Sequence, residues 1–349
     1  MLVRPHTLSI ITTHQCTAAC DHCCFHCTPK VAKAIPFERM ERLIDEAREV
    51  PSIRAVVFTG GECYLLGPKL DALVARATSY GFRTRTVTNG YWATSRKAAS
   101  QRIGGLVKAG LKEVNLSTGT FHSRYVPVEH IIHAAYCSVQ AGLVTVINAE
   151  IFANSDFDFD AISKHPDLVS MIEDGRLMVQ RNVWMENGGE TKLDHNPEHT
   201  RFHPDVPRVG CTTIMNVITV TPDQDLVACC GLTQETIPEL HLGNLESQSI
   251  RRVLDETQDD FLKIWIHVDG PERILEFVKS HDPEYELPIE SVHPCQTCLF
   301  VHQDERARRV IREHYREVED RVIEMYLTMI SSTFLVEEQQ SMSEHSGRR

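Results

Sequence analysis

Strand-like and helix-like segments alternate six times across the first half of this chain. Residues 8–13 are apolar and β-branched and predict a strand. Residues 36–50 place Met40, Leu43, Ile44 and Ala47 on one face and predict a helix with Pro36 in its first turn. Further strands are predicted at 53–58, 82–88, 113–117, 143–152 and 176–182, and further helices at 69–80, 95–109, 128–141 and 159–173. Gly81, Gly110 and Gly142 close three of these helices. Strands separated by helices pair in parallel through right-handed crossovers. Six units are too few to close an eight-stranded barrel, so the pattern predicts an α/β fold, a partial (β/α)6 TIM barrel. Chemistry in such a fold sits on the loops after the strand C-termini.

The alternation stops in a polar stretch rich in Asn, His and Pro. Beyond it, Val217–Val220 and residues 226–229 flank a Pro222-Asp223 turn and predict a hairpin. Residues 247–257 and 271–280 read as helices, and 305–329 as a long charged amphipathic helix. The expected organisation is a barrel over 1–185, a linker over 186–209, a smaller α+β unit over 210–300, a C-terminal helix over 301–336 and a disordered tail over 337–349.

A hydrophobic content of 42% in 349 residues is enough for a full core. The net charge of −12 argues against a nucleic-acid surface, which needs basic patches. No run of 18 apolar residues predicts a membrane span, and Met-Leu-Val-Arg-Pro-His at the start has no secretory h-region. A reducing cytoplasmic location is therefore expected, with the 12 cysteines as ligands or reactive thiols rather than disulfides.

Three cysteines follow the first strand, in Cys16-Thr-Ala-Ala-Cys20-Asp-His-Cys23. Three thiolates cannot saturate a four-iron cluster, which needs one ligand per iron, so one iron stays open. The rival readings are tetrahedral zinc, for which Cys20 and Cys23 offer one C-x2-C pair, and packed thiols. Gly60-Gly61-Glu62, Asn89-Gly90 and Ser117 fall after the next three strands, on the same predicted rim.

The cysteine spacing, Thr59-Gly-Gly-Glu62, Thr88-Asn-Gly90 and Leu116-Ser117, in this order on six α/β units, resemble the radical S-adenosylmethionine (SAM) superfamily over about residues 8–185. The resemblance implies a [4Fe–4S] cluster on Cys16, Cys20 and Cys23 whose open iron chelates SAM. Reductive cleavage of SAM then yields a 5′-deoxyadenosyl radical that takes a substrate hydrogen. It further implies that Gly60 and Gly61 admit the SAM ammonium close to the backbone, that Glu62 offsets its charge, that Asn89 and Ser117 bond ribose or carboxylate, and that His22 stacks on adenine. Turn chemistry is the plainer role for Asn89 and the glycines. Ser117-Thr118-Gly119 departs from the family pattern by lacking an acid in that loop.

Cys211, Cys229, Cys295 and Cys298 resemble the twitch subdomain, the shorter relative of the SPASM domain, and imply a second, auxiliary [4Fe–4S] cluster. Zinc is the alternative, and Cys230 competes with Cys229. Cys24, Cys27 and Cys63 are candidate hydrogen-atom donors or else packed thiols, and Cys137 reads as core. The family context implies an external one-electron donor such as flavodoxin or ferredoxin. It also implies natural-product tailoring: cross-linking, epimerisation or oxidation of a ribosomal peptide, or dehydrogenation or epimerisation of an aminocyclitol or amino-acid-derived small molecule. The first strand begins near Leu8, which leaves no room for an N-terminal peptide-binding domain in this sequence. A zinc or iron–sulfur protein without catalysis is the reading from another class.

Overall fold

A computed structural model describes residues 4–257 and 260–346, with 332–346 described by backbone alone. The expected series forms strands β1 (Thr7–Ile11), β2 (Ala55–Thr59), β3 (Arg83–Thr88), β4 (Glu113–Gly119), β5 (Val144–Ile151) and β6 (Leu177–Val183). Between them run α1 (Phe37–Arg48), α2 (Pro68–Ser79), α3 (Arg96–Ala109), α4 (Thr120–Ser123), α5 (Val128–Gln140), α6 (Asp160–Ser163) and α7 (Val169–Glu173). Beyond β6 come β7 (Val217–Val220), β8 (Asp225–Val227), β9 (His241–Asn244), α8 (Ile250–Glu256), α9 (Phe261–His281), α10 (Pro294–Gln303), α11 (Glu305–His314) and α12 (Arg316–Ser346).

Among the described residues the nine strands form one open sheet, ordered β6-β5-β4-β3-β2-β1-β7-β8-β9. β1 to β6 pair in parallel, β7 continues in parallel beside β1, and β8 and β9 return antiparallel. Side chains alternate between the faces of each strand. Leu8, Ile10, Val56, Phe58, Val114, Leu116 and Ile147 face the helices, where Met40, Leu43, Leu70, Leu73, Ile103 and Ile131 complete the core. The opposite, concave face carries Thr59, Val87, Ser117 and Glu150 to the carboxyl ends of the strands. A second core surrounds the buried Trp265 with Ile214, Ile264, Val278, Val301 and Val310. β8 joins the two cores, since Leu226 belongs to the first and its neighbour Val227 to the second.

Several segments differ from expectation, each for a local reason. The helix expected over 159–173 is two short helices, because Pro166 lacks the N–H that would carry the helix through. α9 begins ten residues before the expected Pro271 and is kinked at Gly270, whose φ of 83° lies in the left-handed region. The long C-terminal helix is divided into α11 and α12 at Tyr315, whose ring packs on Phe261. The backbone of 337–346, expected as part of a disordered tail, continues α12 through a run of good helix formers, Glu337-Glu-Gln-Gln340. Residues 347–349 of that tail lie outside the described residues. The hairpin is an extension of the main sheet rather than the start of a separate one.

Arg39 of α1 locks this extension in place. Its guanidinium donates to Gln224 Oε1 at 3.0 Å, to the Leu245 carbonyl at 2.8 Å and to Glu46 at 2.5 Å. The other oxygen of Glu46 accepts from the Ile250 N–H at 3.0 Å, where α8 starts. Arg39 is only 7% exposed, so its loss leaves several acceptors without partners. Arg39→Ala is expected to lower the unfolding free energy by about 2–3 kcal/mol, measured by urea denaturation of the metal-free protein.

Candidate active site and cysteine centres

The loop after β1 leaves the sheet, carries the first cysteines and folds back on itself. Its stem is closed by His14 N–H to Lys33 O at 2.8 Å, Ile35 N–H to Thr12 O at 3.0 Å and Cys16 N–H to Thr28 O at 3.2 Å. The loop after β2 is laid directly upon it: Gly61 N–H donates to Thr13 O at 2.7 Å and Glu62 N–H to Gln15 O at 3.0 Å. A Cβ on Gly60 would lie 2.5 Å from Thr13 O, and one on Gly61 2.2 Å from Gln15 O. The glycines are thus required for the approach of one loop to the other, a role the motif alone did not disclose.

Glu62 is fully buried, and its carboxylate is occupied within the fold. One oxygen accepts from Tyr64 N–H at 3.0 Å and the other from Asn89 N–H at 2.9 Å, while Thr88 Oγ1 donates to both. It stands behind the cavity wall and positions the loop after β3, rather than facing a ligand ammonium as expected. Burial pushes its pKa up to about 7 in spite of those hydrogen bonds. Asn89, held by this carboxylate, reaches forward: its Nδ2 donates to Thr17 Oγ1 at 3.0 Å and approaches Cys16 Sγ at 3.6 Å.

These loops enclose a cavity of about 160 Å³ that brings together Cys16, Cys20, Cys23, Gly60, Gly61, Asn89 and Ser117. Cys24 and Cys27 line it too, whereas Cys63 is buried outside it with its sulfur 3.5 Å from Phe58 O and 3.3 Å from Val87 O. His22, expected to stack on adenine, is also outside the cavity lining and uses both ring nitrogens on protein backbone. Its Nε2 donates to Thr191 O at 2.6 Å and its Nδ1 accepts from Asn187 N–H at 2.8 Å. Asp21 accepts from Glu190 and Thr191 N–H at 2.9 and 2.7 Å, and Asn187 Nδ2 donates to Cys23 O at 3.1 Å. The segment expected as a linker is therefore a brace that holds the cysteine loop.

Sequence reasoning missed three cavity residues: Glu150, His122 and Trp184. Glu150, at the end of β5, accepts from Phe121 N–H at 2.8 Å and pairs with His122 Nδ1 at 3.1 Å. A Cβ on Gly119 would collide with this carboxylate, so the acid absent from the β4 loop is supplied by the adjacent strand. The available signal was a lone Glu near the end of an apolar strand. Burial disfavours the charged form of His122, but Glu150, Cys23 and Glu62 outweigh it and raise its pKa.

The distal cysteines gather around a second cavity of about 360 Å³, lined by Cys211, Cys229, Cys230, Cys295 and Cys298. Cys295 and Cys298, three apart, share one face of α10, which His293 caps by accepting from Cys295 N–H at 3.1 Å. Gly231 is pressed between Cys295 and Cys229, with an added Cβ 2.9 and 3.7 Å from their sulfurs. Burial raises the Cys298 thiol, and so do Cys295, Cys229 and Cys211. The Cys230 thiol, pushed up to about 11 by burial and Cys211, is instead eased downward by Arg85 of the concave face. All five cysteines thus share one cavity, and Cys230 acts on Cys229 and Cys295 as well, so it remains beside Cys229 as a candidate ligand.

The spacing of both sets bears on the metal. Tetrahedral zinc holds thiolates at about 2.3 Å, hence about 3.8 Å from one another. Among the described residues, neither cysteine set brings three ligand atoms within 4.8 Å of each other. Thiols spread around a cavity fit a polynuclear cluster better than a single ion. Burial pushes Cys16 up to about 11 and Cys295 up to about 12, so these thiols keep their protons in the metal-free protein at neutral pH and release them when a metal takes their place.

Cys23 is the exception. A hydrogen bond with the Cys27 thiol, opposed by burial and aided by backbone N–H groups, holds it below the usual thiol range. In the metal-free protein at pH 7, iodoacetamide is expected to label Cys23 ahead of Cys16 and Cys20, with a rate midpoint at lower pH than for either, by peptide mass mapping. Glu62→Gln places an amide NH2 against a backbone N–H at either Tyr64 or Asn89. It is expected to cost about 1–3 kcal/mol by urea denaturation.

Comparison with known proteins agrees with this geometry. Residues 10–138 match the model described as the radical SAM superfamily. YydG of Bacillus subtilis (strain 168), named provisionally as a peptide biosynthesis protein, is 23% identical over 299 residues, covering 84% of this chain and 90% of that protein. The structure of native anSMEcpe with bound AdoMet and Cp18Cys peptide superposes with a TM-score of 0.55 at 14% identity, over 93% of this chain and 99% of that one. The same protein with AdoMet alone gives 0.56 at 14% identity and the same coverage. These two structures share the fold, an open α/β sheet in a partial barrel. The matched domain and the cysteine loop on the strand rim show that this chain carries a radical SAM domain over residues 10–138, and the relative aligned along most of both chains agrees with it.

Proposed function

We propose that this enzyme modifies a ribosomally made peptide, with Cys16, Cys20 and Cys23 holding the SAM-binding [4Fe–4S] cluster and Cys211, Cys229, Cys295 and Cys298 an auxiliary one. The carrying observation is the convergence of the three cysteines with Gly60, Gly61, Asn89 and Ser117 from four loops on one cavity. When bound, the cluster and SAM supply one-electron cleavage and a carbon radical able to take a substrate hydrogen. The protein's own contribution is position and electrostatics. Asn89 directs an N–H toward Cys16 Sγ, and Ser117 and Glu150 present hydroxyl and carboxylate oxygens suited to SAM's hydroxyl and ammonium groups. The peptide reading is supported by the name of the Bacillus relative. An external one-electron donor and a cytoplasmic setting complete the reading; no helix among the described residues is long and apolar enough to cross a membrane.

Three thiols outside the two ligand sets lie nearest these cavities: Cys24 and Cys27 beside the first and Cys230 beside the second. Any of them can pass a hydrogen atom to a substrate carbon radical, forming a C–H bond and a thiyl that an electron from the external donor and a proton restore. Cys63 is buried outside the cavity lining, with its thiol directed to the Phe58 and Val87 carbonyls, and is not proposed as donor.

Anaerobically reconstituted protein with dithionite and SAM is expected to form 5′-deoxyadenosine and to hold about eight irons. Replacing Cys16, Cys20 and Cys23 by Ala should reduce the product to background and the iron to about four, while Cys211→Ala should lose the distal irons alone. Undiminished 5′-deoxyadenosine in the triple variant would refute the assignment. A short peptide encoded beside the gene, incubated with the enzyme in D2O, should change in mass. An unaltered peptide alongside turnover of a small molecule would overturn the peptide reading.

A further inference from the structure

Away from the cysteines, three helix ends meet at two imidazoles and a carboxylate. α9 ends at His281, α11 ends at His314, and Glu317 lies in the first turn of α12. His281 Nε2 stands 3.0 Å from one oxygen of Glu317, and His314 Nδ1 stands 2.8 Å from the other. One ligand atom from each residue fits within 4.8 Å of the other two. The imidazole rings lie side by side, with centroids 4.3 Å apart.

We infer that His281, His314 and Glu317 form a binding site for one zinc ion. Their chemistry suits it: two imidazoles and a carboxylate are a borderline nitrogen and oxygen set, and a water completes the tetrahedron. The setting supports it as well. His281 Nδ1 donates to Phe277 O at 3.0 Å, so that when an ion displaces the proton between Nε2 and Glu317 the tautomer with a free Nε2 lone pair facing the site is the one retained, an arrangement usual around ligating histidines. The C-terminal ends of α9 and α11 direct their carbonyl dipoles toward the cation. Among the described residues no lysine or arginine pairs with Glu317, so the carboxylate is not already neutralised by a fixed cation. The frame is firm: Arg306 of α11 clasps Asp282, the residue next to His281. Binding exchanges the protons shared between imidazole and carboxylate for the ion, which is taken up as protons are released. The ion ties α9, α11 and α12 together, and with them the core around Trp265 that backs the distal cysteine cavity.

The site is separable from the cluster centres by its ligands, and the test exploits that. Cluster-loaded protein is incubated with Zn2+, desalted and analysed for zinc, iron and sulfide. Wild type is expected to retain one more zinc per chain than His314→Ala, at equal iron and sulfide. With zinc in about 100-fold excess over its Kd, the unfolding midpoint of wild type should rise by about 5 °C and that of the variant should not move. Equal zinc in both proteins would overturn the site. Should His314→Ala lose iron, zinc X-ray absorption of wild type decides instead: a nitrogen and oxygen shell with imidazole scattering supports the site, and sulfur ligation overturns it.

Discussion

The loop that carries the first cysteines is irregular, and beyond its stem of three backbone hydrogen bonds it leans on its neighbours. What fastens it to the loops after β2 and β3 is a buried carboxylate and two backbone hydrogen bonds. Gly61 and Glu62 donate to Thr13 and Gln15, placing the β2 loop against the β1 loop at a distance only glycine permits. Glu62 then turns inward and gathers the Tyr64 and Asn89 N–H groups and the Thr88 hydroxyl. Three strand ends are thereby tied to one another before any cofactor is considered. The energetic tension is visible in the raised pKa of Glu62: burial opposes the charge that these donors require.

The same logic extends across the molecule. The cysteine loop is braced from the far edge of the sheet by residues 187–191, and the hairpin β7–β8 extends the opposite side beside β1. Because β8 contributes adjacent residues to both cores, the distal cysteine cavity is built on the same sheet as the proximal one. Cys24 lines the proximal cavity, and burial, Cys23, Glu235 and Cys295 all raise its thiol.

Much of the fold was legible because its signals are local. Apolar runs of strand length, one-faced helical patterns and glycine stops need only neighbouring residues to be read, and β1 to β6 with α1, α2, α3 and α5 fall where those signals lie. The failures have physical causes. β9 is only four residues long and α10 is dominated by its cysteines, so neither has a strong period. Gly270 and Pro271 read as a helix start but sit at a kink, since the residues before them are helical by virtue of packing around Trp265. His22 and Glu62 were read from their place in motifs, yet both point into protein, because a residue beside a ligand loop is as readily used to hold the loop as to meet the ligand.

The sequence by itself determined the alternation of elements, the order of the rim loops and the residue types available for metal and SAM. Spacing along the chain carries that information, since the loops after successive parallel strands must emerge on one edge of the sheet. Only the tertiary structure decided which side chains face the cavity. Glu150 stands where the neighbouring loop lacks an acid, Cys63 is buried outside the cavity lining, and Cys230 lines the distal cavity together with the four expected cysteines. The convergence of His281, His314 and Glu317 was equally invisible in sequence, as it depends on how three helix ends pack. The physical reason is common to all: the direction of a side chain at a strand end or loop is set by the partners that satisfy its polar atoms. Those partners here come from residues dozens to hundreds of positions away.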